Sequence, residues 1–166
     1  SVGLWLASYL VQVQSLTIEA ASLWTGLYYG AITIGRVMTG ILSFRVSNAM
    51  LIRIGLAISG IGIALLLPAA SHTLSLIGVI LIGLGFAPIY PSLIHITPKR
   101  FGINVSDKVM SLQMVGGYLG ASIIPASIGL VANEYGLALF SYIIAGLVLC
   151  VALCTERLQQ LTRKAV

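Results

Sequence analysis

Acidic residues are almost absent from this 166-residue chain: Glu19, Asp107, Glu134 and Glu156 are its whole complement of four, and charged side chains of both signs make up only 8% of it. Soluble domains carry about 25%. With 58% hydrophobic residues and a mean hydropathy of +1.06, a water-soluble globule would have no means of covering its surface. Cysteine is equally scarce. Cys150 and Cys154 lie four apart on one face of the last apolar stretch and read as small apolar side chains. A disulfide between i and i+4 of a regular helix is geometrically poor, and two thiols alone do not make a metal site. No metal and no cofactor is expected. Paired acid and base groups inside an apolar stretch are missing, as are G-x-S-x-G and H-E-x-x-H patterns, which argues against an enzyme. No cleavable signal peptide is visible, and the sequence opens at Ser1 inside an apolar run, as a cut through a larger protein would leave it.

Long apolar runs are what the chain has instead. They cover 20–43, 49–70, 74–96, 108–132 and 136–154, with a sixth, 2–16, shortened at the chain start. A membrane-spanning helix needs roughly 20 mostly apolar residues, so the expected fold class is an all-α membrane protein with six transmembrane helices. The connections alternate in charge. Arg45 and Arg53 lie in 44–53, Lys99, Arg100 and Lys108 in 97–108, and Arg157, Arg163 and Lys164 in the tail, whereas the other connections carry Glu19, His72 and Glu134 with no Lys or Arg. The positive-inside rule then places both chain ends in the cytoplasm, in a plasma (inner) membrane. A pI near 9.5 could suggest nucleic acid. The basic residues form three separated loops rather than one stripe, so they read as topology determinants beside anionic lipid headgroups, and no nucleic-acid partner is expected.

The runs differ in polarity. The third and sixth are almost wholly apolar, and the other four carry polar side chains, which in a bilayer turn toward protein or a water-filled cavity. Trp5, Tyr9 and Gln12 share one helical face. Two rings beside an amide suit a sugar, the rings covering its apolar faces and the amide bonding hydroxyls. The alternative is an interfacial aromatic belt with a helix–helix hydrogen bond. The second run sets Thr25, Tyr29, Thr33 and Arg36 on one stripe, with Trp24 and Tyr28 beside it. Arg36 either snorkels to the inner mouth and bonds helix carbonyls, or acts in binding or gating. Gly26-x-x-x-Gly30 and Gly116-x-x-x-Gly120 permit close helix approach, within this bundle or against another.

Pro88 and Pro91 interrupt the fourth run. Each removes a backbone donor, so a kink or local unwinding is expected, of the kind that lines transporter cavities. Tyr90, Ser92 and His95 follow, and a helix–helix hydrogen bond suits His95 better than a proton relay. Pro125 implies a similar bend in the fifth run, whose polar members are Gln113, Tyr118 and Ser122. The order polar, polar, apolar occurs twice. Three spans per repeat invert the second copy, giving a three-plus-three inverted repeat with a solute site at its interface. Asn104-Val-Ser106 matches a glycosylation sequon but falls on the expected cytoplasmic side, and Asp107 after Ser106 reads as first-turn helix stabilisation.

Gly35-Arg36-x-x-x-Gly40-x-Leu42-x-x-Arg45 resembles the second copy of the loop signature of the major facilitator superfamily, with Phe44 where that signature carries an acid. Trp5-Leu-Ala-Ser-Tyr9, Trp24, Ala87-Pro-Ile-Tyr-Pro91, Gly120, Pro125 and Gly129 add a resemblance to its fucose permease branch, the sugar:proton symporters. The resemblance covers essentially the whole chain as the carboxy-terminal half of a twelve-helix fold. It implies alternating access by rocking against an amino-terminal six-helix half, a small polar solute that is a sugar, and coupling to a proton whose titrating acid lies in the absent half. The residues expected at the solute are Trp5, Tyr9, Gln12, Trp24, Tyr28, Tyr29 and Tyr90. Gating or structural roles fall to Arg36, Arg45, Pro88, Pro91, Gln113 and Pro125. A non-transporting receptor or scaffold module of the same fold is the alternative.

Overall fold

In a computed structural model, residues 2–66 and 71–164 are described. They form α1 (Val2–Gln12), α2 (Ile18–Leu42), α3 (Asn48–Leu66), α4 (His72–Phe86), α5 (Ile89–Phe101), α6 (Ile103–Tyr135), a 3₁₀ turn (Leu137–Leu139) and α7 (Phe140–Lys164), with no strand among the described residues. Local chemistry sets the boundaries. The Thr17 hydroxyl accepts the Ala20 N–H at 3.3 Å and Glu19 lies in the first turn of α2, so a cap and an acid meet the positive end of that helix dipole. Gly102 (φ 79°) and Gly136 (φ 78°) close α5 and α6 in the left-handed region. There each donates its N–H to a carbonyl four residues back, Pro98 and Ala132 respectively.

Four stretches are long and apolar enough to cross a membrane: Asn48–Leu66, His72–Phe101, Asn104–Tyr135 and Leu137–Leu161. The sequence reading of six spans is therefore met in part. α1 has only 11 residues. α2 has the length, 25 residues, but Glu19, Arg36 and its Thr, Trp and Tyr side chains keep it outside the apolar set. The end of the expected run 49–70, residues 67–70, lies outside the described residues. The proline expectation holds for the fourth run, which breaks at Ala87–Pro88 into α4 and α5. α6 passes through Pro125 without a break.

α4 lies between α2 and α3, and glycine makes that possible. Gly62 of α3 and Gly78 of α4 face each other so closely that a Cβ on either would stand 2.7 Å from the other's carbonyl oxygen. Gly85 meets Ser59 and Gly55 of α3 in the same way, while Gly83 meets the Tyr28 carbonyl and Gly35 meets Ala87. Such approach brings helix backbones into van der Waals contact, the main attraction available where lipid is as apolar as the side chains. At the other end of the core, Tyr9 is buried, donates its hydroxyl to the Leu66 carbonyl at 3.1 Å and packs its ring on Phe140 at 5.2 Å. Arg53 of α3 holds Glu156 of α7 through two bonds of 2.6 and 2.7 Å, so the start of α3 and the end of α7 share one end of the bundle. α6 is the least embedded helix: Leu112, Val115, Leu119, Ile123 and Leu130 are all exposed, as are Leu23, Ile34, Val37, Met38 and Ile41 of α2.

Candidate functional site

Past the break at Ala87–Pro88, a cavity of about 410 Å³ lies between α5 and the end of α2. Arg36, Thr39, Gly40 and Ser43 of α2 line it at i, i+3, i+4 and i+7, one helical face. Asn48 enters from the start of α3, and Tyr90, Pro91, Ser92 and His95 come from α5. Thr39 and Ser43 donate to the Gly35 and Gly40 carbonyls of their own helix, each at 2.7 Å, which leaves their oxygens free to accept. Ser92 is different. Its side chain is 1% exposed and its hydroxyl has no hydrogen-bond partner among the described residues, a state that native interiors rarely leave unexplained. Among the described residues no carboxylate lines this cavity, so the Arg36 guanidinium sets its charge.

An apolar cavity of about 320 Å³ lies next to it, walled by Tyr28, Phe86, Ile89 and residues of α3 and α7, with Tyr90 bordering both spaces. Tyr28 is buried there, and Tyr29 meets it edge-on at 5.2 Å between centroids. Tyr29 itself is half exposed, with its hydroxyl end packed over Gly3 of α1.

The expected solute-facing surface of α1 does not form as one surface. Tyr9 is in the core with its hydroxyl committed to Leu66. Trp5 is half-buried over Gly129 and donates its indole N–H to the Pro125 carbonyl at 3.0 Å, joining α1 to α6. Gln12 is exposed beside a separate small cavity with Ser8 and Ser22. The shared face is real in helical register, but the packing of α3 and α6 takes two of its three members. Trp24 is half-buried against the core, and Arg45 stands exposed in the turn after α2. Pro88 lies buried at the helix break and Pro91 enters the first turn of α5. Gln113 and Pro125 act between helices: the Thr97 hydroxyl lies 3.1 Å from Gln113 Oε1 and 2.9 Å from the Leu93 carbonyl, tying α5 to α6. Thr39, Ser43 and Asn48 are cavity residues the sequence reading passed over, although Thr39 and Ser43 share the helical face of Arg36.

The family model described as Major Facilitator Superfamily matches residues 1–164. Membrane protein MosC of Rhizobium meliloti is 29% identical over 168 aligned positions, an alignment covering 95% of this chain and 39% of MosC. The chain thus spans well under half the length of that relative. No solved structure matches it.

Proposed function

The chain belongs to the Major Facilitator Superfamily, a family of membrane transporters of small solutes, and from that premise we propose that it works as the carboxy-terminal six-helix half of a secondary transporter. α1–α3 and α4–α7 are then the two inverted copies of a three-span repeat, α4 and α5 together making one broken span. The observation that carries the reading is the cavity lined by polar side chains beside the break at Ala87–Pro88. Irregular backbone at membrane depth persists where it lines a watery space, and transporters place solute at such breaks. In this reading Arg36 and Tyr90 face the solute, with Tyr28 and Tyr29 beside them. Trp5 and Gln12 bound the outer end, and both chain ends lie in the cytoplasm.

The open glycine faces support a missing half. A Cβ at Gly26, Gly30 or Gly116 would meet nothing within 4 Å, so these small residues serve no contact inside the bundle and suit a second bundle rocking past α2 and α6. The fucose permease resemblance makes a sugar the solute and a proton the coupling ion, with the titrating acid on the other half. A non-transporting module of the same fold is favoured by one observation: Phe44, 91% exposed, stands where the loop signature of the family has an acid. Counterflow of labelled sugar in liposomes holding the full-length protein decides between them. Exchange that is lost on substituting Tyr90 or Tyr29, with expression retained, supports transport; no exchange of any solute supports the module.

A further inference from the structure

We infer that the α2–α5 cavity is a site for an anionic group, a carboxylate or phosphate carried by the small polar solute. The inference rests on the transporter reading and sharpens it: the sugar-like solute is an acidic one. Arg36 is the cavity's fixed charge. Of the four side-chain carboxylates of the chain, Glu156 is held by Arg53 at 2.6 Å, Glu19 lies in the first turn of α2, and Asp107 and Glu134 lie toward opposite ends of α6. None of them lines the space around Arg36. A neutral sugar entering there would strip water from the guanidinium without supplying a counter-charge, which costs free energy. An oxyanion supplies that charge and can take two parallel bonds from the guanidinium fork.

The remaining groups suit the same ligand. The buried Ser92 hydroxyl, without a partner among the described residues, can donate to an anion's oxygen. Asn48 and Tyr90 line the same space with an amide N–H₂ and a phenol as further donors, and His95 adds a ring nitrogen. Gly40 leaves the space unfilled, since a Cβ there would meet nothing within 4 Å. A solute larger than its anionic group would run past Tyr90, which borders the apolar cavity as well.

The test uses the full-length protein in phosphatidylcholine liposomes, whose lipid carries no net charge and is the same for every solute compared. Glucuronate, glucose 6-phosphate and glucose are compared by counterflow and, separately, by thermal stabilisation of the purified protein. Expected is at least a tenfold preference for one or both anions over glucose. Arg36→Gln abolishes that preference and Arg36→Lys keeps part of it. Gly40→Leu blocks binding of all three by filling the cavity. If Arg36→Gln fails to fold, Ser92→Ala serves instead, lowering anion stabilisation several-fold in a protein that still elutes as a single species. Glucose matching the anions, or an unchanged preference in Arg36→Gln, overturns the anionic site while leaving transport intact. Anion stabilisation without exchange keeps the site and overturns transport. Neither stabilisation nor exchange removes both.

Discussion

At the scale of single residues, glycine separates what the bundle needs from what it holds open. Gly62→Ala puts a methyl group 2.7 Å from the Gly78 carbonyl and 2.9 Å from Ile82. Backbone cannot yield as a side chain can, so the expected cost is about 1–3 kcal/mol, read as a lower thermal midpoint in detergent. Gly30→Ala meets nothing within 4 Å and should leave that midpoint unchanged or slightly raised, because alanine is the better helix former. Tyr9→Phe removes only the bond to Leu66, worth roughly 0.6–1 kcal/mol. A much larger drop would mean that the hydroxyl does more than close that carbonyl. The sequence singled out Gly26-x-x-x-Gly30 and Gly116-x-x-x-Gly120 because their spacing is local and visible. The tight pairs Gly62–Gly78 and Gly55–Gly85 join separate helices, and no spacing rule reveals which glycine meets which across a loop.

At the scale of elements, the broken span is where local chemistry and function coincide. Two prolines three apart forecast a break without any tertiary information, and Ala87–Pro88 is where it falls. Replacing both Pro88 and Pro91 with alanine restores two backbone donors and should make α4 and α5 one continuous helix, narrowing the cavity. A thiol probe at Ser43→Cys, with Cys150 and Cys154 replaced by serine, reports this: labelling in membranes should fall several-fold in the alanine background, and equal labelling would separate the cavity from the break. Pro125 causes no such interruption, since α6 runs on past it, and its carbonyl takes the Trp5 indole N–H instead. The shared face of Trp5, Tyr9 and Gln12 was legible as register, but not its fate. Burial of Tyr9 depends on Phe140 and Leu66, 131 and 57 residues away in sequence, and helical periodicity carries no word of either.

At the scale of the whole molecule, apolar surface is unevenly placed. α3 and α4 are embedded, while α2 and α6 expose both leucines and the open glycines. Cysteines at Gly26 and Gly116 should label readily with a membrane-permeant maleimide when this region is expressed alone. In the full-length protein they should be protected about tenfold or more, and crosslinks from them should land in the upstream half. Equal labelling in both forms would mean that these faces meet lipid. The all-helical class and most span positions were legible because hydropathy is a sum over neighbours in sequence. The cavity was legible only in pieces: Arg36, Tyr90, Ser92 and His95 stood out as polar groups in apolar runs, and only the fold sets the end of α2 across that space from α5.

The bond from Tyr9 to Leu66 has a mechanical consequence. Leu66 stands in the last turn of α3, where carbonyls lack partners within their own helix, and the phenol of α1 serves as the stopper. Turning α1 about its own axis would uncork that end in a medium with no water to replace the lost bond. In the proposed transport stroke that bond pins α1 to the end of α3, and the freedom to hinge falls to the joint at Ala87–Pro88, where the helix is interrupted.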